Sequence, residues 1–154
     1  MENFASLNLN AEAPIHVSVP LPRSIDSRIY LHLTARAKHM MLFITTASLE
    51  DASTPTPLGS FVYALPDRFN PDQPLSTPLY REEPTLEFTS RLAKLVAKKT
   101  GLPAYVGNSV SLASMGMGGT VEEEMEAFKT VVETLVPLLN NLVDVGTHSL
   151  PNGQ

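Results

Sequence analysis

Hydrophobic and polar residues alternate cleanly over several short runs before the pattern changes to helical spacing. Ile15-His16-Val17-Ser18-Val19 alternates and reads as a strand, ended by Pro20 and Pro22. From Arg28 to Arg36 the period of two is clearest. Ile29, Leu31, Leu33 and Ala35 share one face, with Tyr30, His32 and Thr34 on the other. Met40 to Thr46 follows at once and is apolar on both faces. The short gap at Ala37-Lys38 predicts a hairpin with Arg36 opposite His39. In that register Leu33 faces Leu42 and Leu31 faces Ile44, while His32 meets Phe43 and Thr34 meets Met41.

Between Asp51 and Pro84 seven prolines break the chain into short pieces. Ser60 to Leu65 still reads as a strand and Leu75 to Tyr80 as a short edge strand; the rest is loop, since each proline removes a ladder donor. We read 51–84 as a proline-rich insertion within a single domain. Thr85 can cap a helix reaching Thr100, with Phe88, Leu92, Leu95 and Val96 as its apolar stripe and Arg91, Lys94 and Lys98 toward solvent. Gly101 stops it. Ala104 to Ser109 is a central strand, and Ser111 to Gly119 a loop. Thr120-x-x-Glu123 is a capping-box signature for a second helix, whose predicted buried face is Val121, Met125, Phe128, Val132 and Leu135. Pro137 should kink or end it, with a short helical turn through Leu142 to follow. The expected architecture is α+β: a single antiparallel sheet of about five or six strands, two helices on one face, and the other face available for heterodimerisation. Residues 1–13 form an N-terminal arm, 14–145 the domain, and 146–154 a flexible tail.

Composition narrows the function classes. At 154 residues and 43% hydrophobic the chain can bury one core. A formal net charge of −5 argues against nucleic acid or an anionic membrane as the main partner. The absence of cysteine removes disulfides and thiolate chemistry and suits the cytosol or nucleus. The N-terminus lacks the pattern of a signal peptide, and no apolar run is long enough to span a bilayer.

Candidate chemistry is weak. Gly107-Asn108-Ser109-Val110-Ser111 approximates a nucleophile elbow, but the second glycine is missing and loop follows in place of helix. Gly116-Met117-Gly118-Gly119 precedes a helix and could cradle a phosphate, except that Glu122, Glu123 and Glu124 would repel one. His16, His32, His39 and His148 fall at no metal-ligand spacing. We therefore expect no catalytic, cofactor or metal residue, and no enzyme. One further signal is surface burial. The open sheet face, with Tyr30, His32, Met41, Phe43, Val62 and Tyr105 assigned to it by strand register, needs a cover. The proline-rich segment folding back and a partner subunit are both open at this point.

Two runs carry a family likeness. Ala97-Lys98-Lys99-Thr100 with Tyr105-Val106, and then Glu123-Glu124-Met125-Glu126-Ala127-Phe128, resemble the proteasome assembly chaperone 4 family. The hairpin with Leu42-Phe43-Ile44 is similar in position and character, and the likeness spans about residues 15–135. The stretch 51–84 and the extension beyond Leu135 look longer than the family core. The resemblance implies a small α+β protein without enzyme activity or cofactor. It implies pairing with a related subunit, proteasome assembly chaperone 3, sheet against sheet with helices outside. It also implies transient action on the α-subunit ring of the 20S proteasome. That favours a partner-covered face. The alternatives are a serine hydrolase using Ser109 and a small α+β scaffold subunit of a trafficking complex, since fold alone assigns no function.

Overall fold

The computed structural model describes residues 13–50 and 55–148, the last four by backbone alone. Nearly all of the predicted N-terminal arm, and residues 149–154 of the predicted tail, lie outside the described residues.

Six strands and two helices follow in the order β1 (Ile15–Pro20), β2 (Ser27–Ala35), β3 (Met40–Ser48), β4 (Ser60–Leu65), β5 (Leu75–Tyr80), α1 (Glu83–Thr100), β6 (Ala104–Ser109) and α2 (Val121–His148). The β2–β3 hairpin has the expected register, Leu33 opposite Leu42 and His32 opposite Phe43, closed by the Arg36 amide donating to the His39 carbonyl at 2.9 Å. The strands form one sheet in the order β1-β2-β3-β6-β4-β5. It is mostly antiparallel, as expected, and mixed through one parallel pair. β6 returns through α1 and slots between β3 and β4, so it runs parallel to β3 and antiparallel to β4. A helical crossover is what permits parallel pairing. The stretch 51–84 supplies β4, which follows β3 in the chain but is separated from it in the sheet by β6, and the edge strand β5, whose Pro78 needs no outer ladder bond.

Both helices bury their inner sides in one core with the sheet face formed by Ile29, Leu31, Leu33, Leu42, Ile44 and Val106. Ala93 and Ala97 of α1 are fully buried, as are Ala64 of β4 and Ala104 of β6. Such small side chains let helix and sheet approach closely. Helix α1 begins earlier than predicted, with Pro84 in its first turn, where a missing N–H costs nothing. Thr85 is not its cap. Its hydroxyl instead bonds the Ser60 hydroxyl at 2.8 Å and accepts from the Ser60 amide, tying the helix start to β4. At the other end Gly101 adopts φ 68° and donates to the Ala97 carbonyl, as the stop signal requires.

Helix α2 departs from its predicted face and length. The buried stripe is Glu123, Ala127, Val131, Leu135 and Leu139, four residues apart, while Val121 and Met125 are exposed. The helix also continues through Pro137 to His148.

Candidate functional site

The sheet face away from the helices is built from alternate positions, and aromatic rings meet across it. On β1 and β2 the His16 and His32 rings lie edge-on at 4.2 Å. His32 stands edge-on to Phe43 of β3 at 6.5 Å, and Phe43 stacks with Phe61 of β4 at 6.2 Å. Phe61 in turn stacks with Tyr105 of β6 at 6.0 Å, and Tyr105 contacts both Tyr63 at 4.8 Å and His39 at 5.9 Å. A row of rings therefore crosses five strands, and apart from the exposed His16 each member is half-buried. Aromatic pairs in such offset or edge arrangements add about 0.5–1.5 kcal/mol each beyond area burial.

Gly107 explains how Phe43 and Phe61 meet although β6 runs between their strands. It is opposite Phe43 on one side and Phe61 on the other. A Cβ there would stand 2.6 Å from Phe43 Cδ1 and 2.9 Å from Leu58 Cδ1. The glycine leaves the space the rings use, a close-approach role for glycine within a strand. This replaces the elbow reading of Gly107-Asn108-Ser109. The Ser109 hydroxyl bonds the Thr45 hydroxyl at 2.9 Å, a hydroxyl pair rather than a serine–base pair.

Of the six residues assigned to this face, Tyr30, His32, Met41, Phe43 and Tyr105 are half-buried there together. Val62 is not. It pairs with the buried Val106 and is fully buried under the helices. Its neighbours Phe61 and Tyr63 take its place on the open face. The available signal was size: Ser60, Val62 and Ala64 are small, as a helix-covered face demands, whereas Phe61 and Tyr63 are large. Next to the row, His16, Tyr30, His32, Phe43, Leu58 and Ser109 line a concavity of about 540 Å³. Thr56, Pro57 and Leu58 reach its rim, so a short part of the proline-rich stretch does lie against the face. Burial and the adjacent His16 imidazole push His32 below its ordinary value of 6.5.

The glycine loop before α2 is occupied by its own chain. The Glu123 carboxylate accepts from the amides of Met117 at 2.6 Å, Gly119 at 2.7 Å and Thr120 at 3.1 Å. The Thr120 hydroxyl accepts from the Glu123 amide at 3.3 Å, completing the capping box. Burial would raise the Glu123 carboxyl, but the Gly119, Met117 and Thr120 amides, with Arg23 nearby, hold it below its ordinary value. A phosphate cradle is thus filled internally, and the buried glutamate is structural.

The sequence profile of proteasome assembly chaperone 4 matches residues 28–110, more than half of the chain. The chain belongs to the proteasome assembly chaperone 4 family. The matched range runs from the second residue of β2 through β3, β4, β5, α1 and β6, so it includes the proline-rich stretch; the Glu123–Phe128 run lies beyond it. Among solved structures, one chain from the crystal structure of a novel chaperone complex for yeast 20S proteasome assembly is similar. Its TM-score is 0.59 at 12% identity, covering 86% of this chain and 98% of that one. At that identity the shared property is the fold. No curated protein sequence matches the chain. Membership of the proteasome assembly chaperone 4 family supports a chaperone of proteasome assembly.

Proposed function

We propose that this chain is one subunit of a heterodimeric, non-catalytic chaperone that assists assembly of the 20S proteasome α-subunit ring. It pairs through the open sheet face with a related subunit of the proteasome assembly chaperone 3 type and then releases its client. The family assignment supports the assembly role. The observation that carries the pairing is the ring row from His16 to Tyr63. Tyr80 and Leu65, on β5 and β4, extend it with exposed apolar area at one edge. Aromatic clusters flanked by polar residues are the usual centre of a stable interface. A second sheet laid over this face would desolvate the rings while leaving both helices outward. The cysteine-free composition supports the cytosol or nucleus as the place of action.

Co-expression with a chaperone 3-type subunit tests this directly. The chain should be poorly soluble or self-associated alone, and recovered as a one-to-one complex with its partner, with α-ring subunits co-purifying from cell extract. A monodisperse monomer that retains neither partner nor α subunits sinks the proposal. For the hydrolase alternative, an active-site-directed serine probe should leave Ser109 unlabelled, since its hydroxyl is bound to Thr45.

A further inference from the structure

The helix side of the molecule carries a second concavity that the sheet-face pairing leaves free. A groove of about 660 Å³ runs between α1, α2 and the segment before β5. Leu95, Phe128 and Val132 give it an apolar floor. Along one wall stand Arg91, Lys94 and Lys98, spaced three and four residues apart and therefore on one face of α1. All three are exposed.

Charge on this wall is prearranged. The Arg91 guanidinium lies 4.6 Å over the centre of the Phe128 ring, which holds a cation at the edge of the apolar floor. Lys98 is partly answered by Asp72, 3.5 Å away across the groove. Asp67, the other acid on the lining, turns its carboxylate to the Phe69 amide of its own loop at 2.9 Å. Lys94 has no partner among the described residues. Three of the eleven cations of a chain with net charge −5 thus line one groove, with two of them unanswered by carboxylates.

We infer that this groove docks an acidic, apolar-anchored peptide segment of a client protein, its hydrophobic side chains on Leu95, Phe128 and Val132 and its carboxylates on Arg91 and Lys94. The inference rests on the chaperone reading for the word client, but not on the sheet-face pairing. Contacts of this kind give fast, salt-sensitive and reversible binding, as a client that must leave requires.

The test uses the full chain with its partner subunit and a labelled synthetic amphipathic peptide, Glu on one face and Leu on the other, compared by fluorescence anisotropy with its Lys-for-Glu counterpart. The acidic peptide should bind saturably, weaken as salt rises, and lose at least about tenfold in affinity with Arg91→Glu/Lys94→Glu. The control Lys38→Glu/Arg81→Glu makes the same charge change away from the groove lining and should bind as wild type. Equal binding of both peptides, equal loss in the control, or full displacement by heparin with no contribution from the Leu face would overturn the inference. Retention of the partner subunit in the double variant is read separately, so loss of peptide binding with intact pairing separates this inference from the heterodimer.

Discussion

Replacing Phe43 with Asp separates the two faces of the sheet most sharply when paired with Leu33→Asp on the neighbouring strand. Leu33 is 1% exposed inside the core. An aspartate there loses about 1.5–3 kcal/mol of side-chain burial and adds several kcal/mol for a carboxyl without a partner. That sum approaches the roughly 5–15 kcal/mol that holds such a domain folded, so the variant should be unfolded. Phe43 is half-buried on the open face, so beyond part of its burial, about 1 kcal/mol, it loses two ring contacts, with His32 and Phe61. The contacts, at about 0.5–1.5 kcal/mol each, bring the loss to about 2–4 kcal/mol, still below the total that holds the domain, and water solvates the new carboxylate. The fold should survive. Across an interface, however, a charge in the centre of an aromatic cluster should cost about 2–4 kcal/mol or more, roughly 30- to 1000-fold in affinity. Urea denaturation followed by circular dichroism measures the first quantity, and titration calorimetry with the partner subunit the second. Equal collapse of the isolated fold in both variants, or unchanged affinity with Phe43→Asp, refutes the assignment of this face.

The remaining expectations concern single groups. Because the folded Glu123 carboxyl lies below its ordinary value of 4.5, its contribution to stability is full above that pH and fades as pH falls through the folded value. Glu123→Gln should therefore be less stable than wild type at neutral pH, with the gap closing in acid; a gap independent of pH contradicts the amide-bound carboxylate. His32 has the opposite chemistry and a related sign. Its folded value lies below 6.5, so acidification through that range favours the unfolded chain. Wild type should lose stability as pH falls below about 6.5, and His32→Gln should lose less; matching profiles would rule out a contribution from His32. Gly59→Ala should destabilise severely, because φ is +67° and a Cβ would sit 1.9 Å from the Asn108 carbonyl oxygen. Gly118→Ala, with φ +77° and open space around it, should cost only about 1 kcal/mol by thermal unfolding.

Local periodicity carried much of this fold. The β2–β3 register was legible because Leu31 and Leu33 alternate with His32 and Thr34, so a slip by one would expose the core set. The bounds of β4 and β5 followed from their prolines and flanking loops. The position of β6 beside β3 was not legible, because strand neighbours separated by a helix leave no trace in local pattern. Hydropathy does not place Val62, since every residue from Phe61 to Leu65 is apolar; the alternation of small and large side chains does, with Ser60, Val62 and Ala64 on the helix-covered face. The α2 face was misread for a chemical reason. Glu123 is buried because loop amides bind it, so a charged residue lies in the core stripe and Val121 and Met125 turn outward. The aromatic row needed the strand order before its members could be seen together, and the basic groove needed the packing of α1 on α2.

The insertion of β6 between β3 and β4 also sets the order of events in folding. The central strand is the last to be made. Until residues 104–109 leave the ribosome, β1–β2–β3 and β4–β5 are separate antiparallel units, each with an unpaired edge where the other half will join. Closing the sheet then joins segments separated by about sixty residues of chain, a slow, non-local step. A nascent chain is consequently exposed to wrong edge pairing from the completion of β3 until β6 emerges. A chain cut before Ala104 should form the two antiparallel units without the six-stranded sheet, and the ring row, which needs Gly107 and Tyr105 at its middle, should be broken between Phe43 and Phe61.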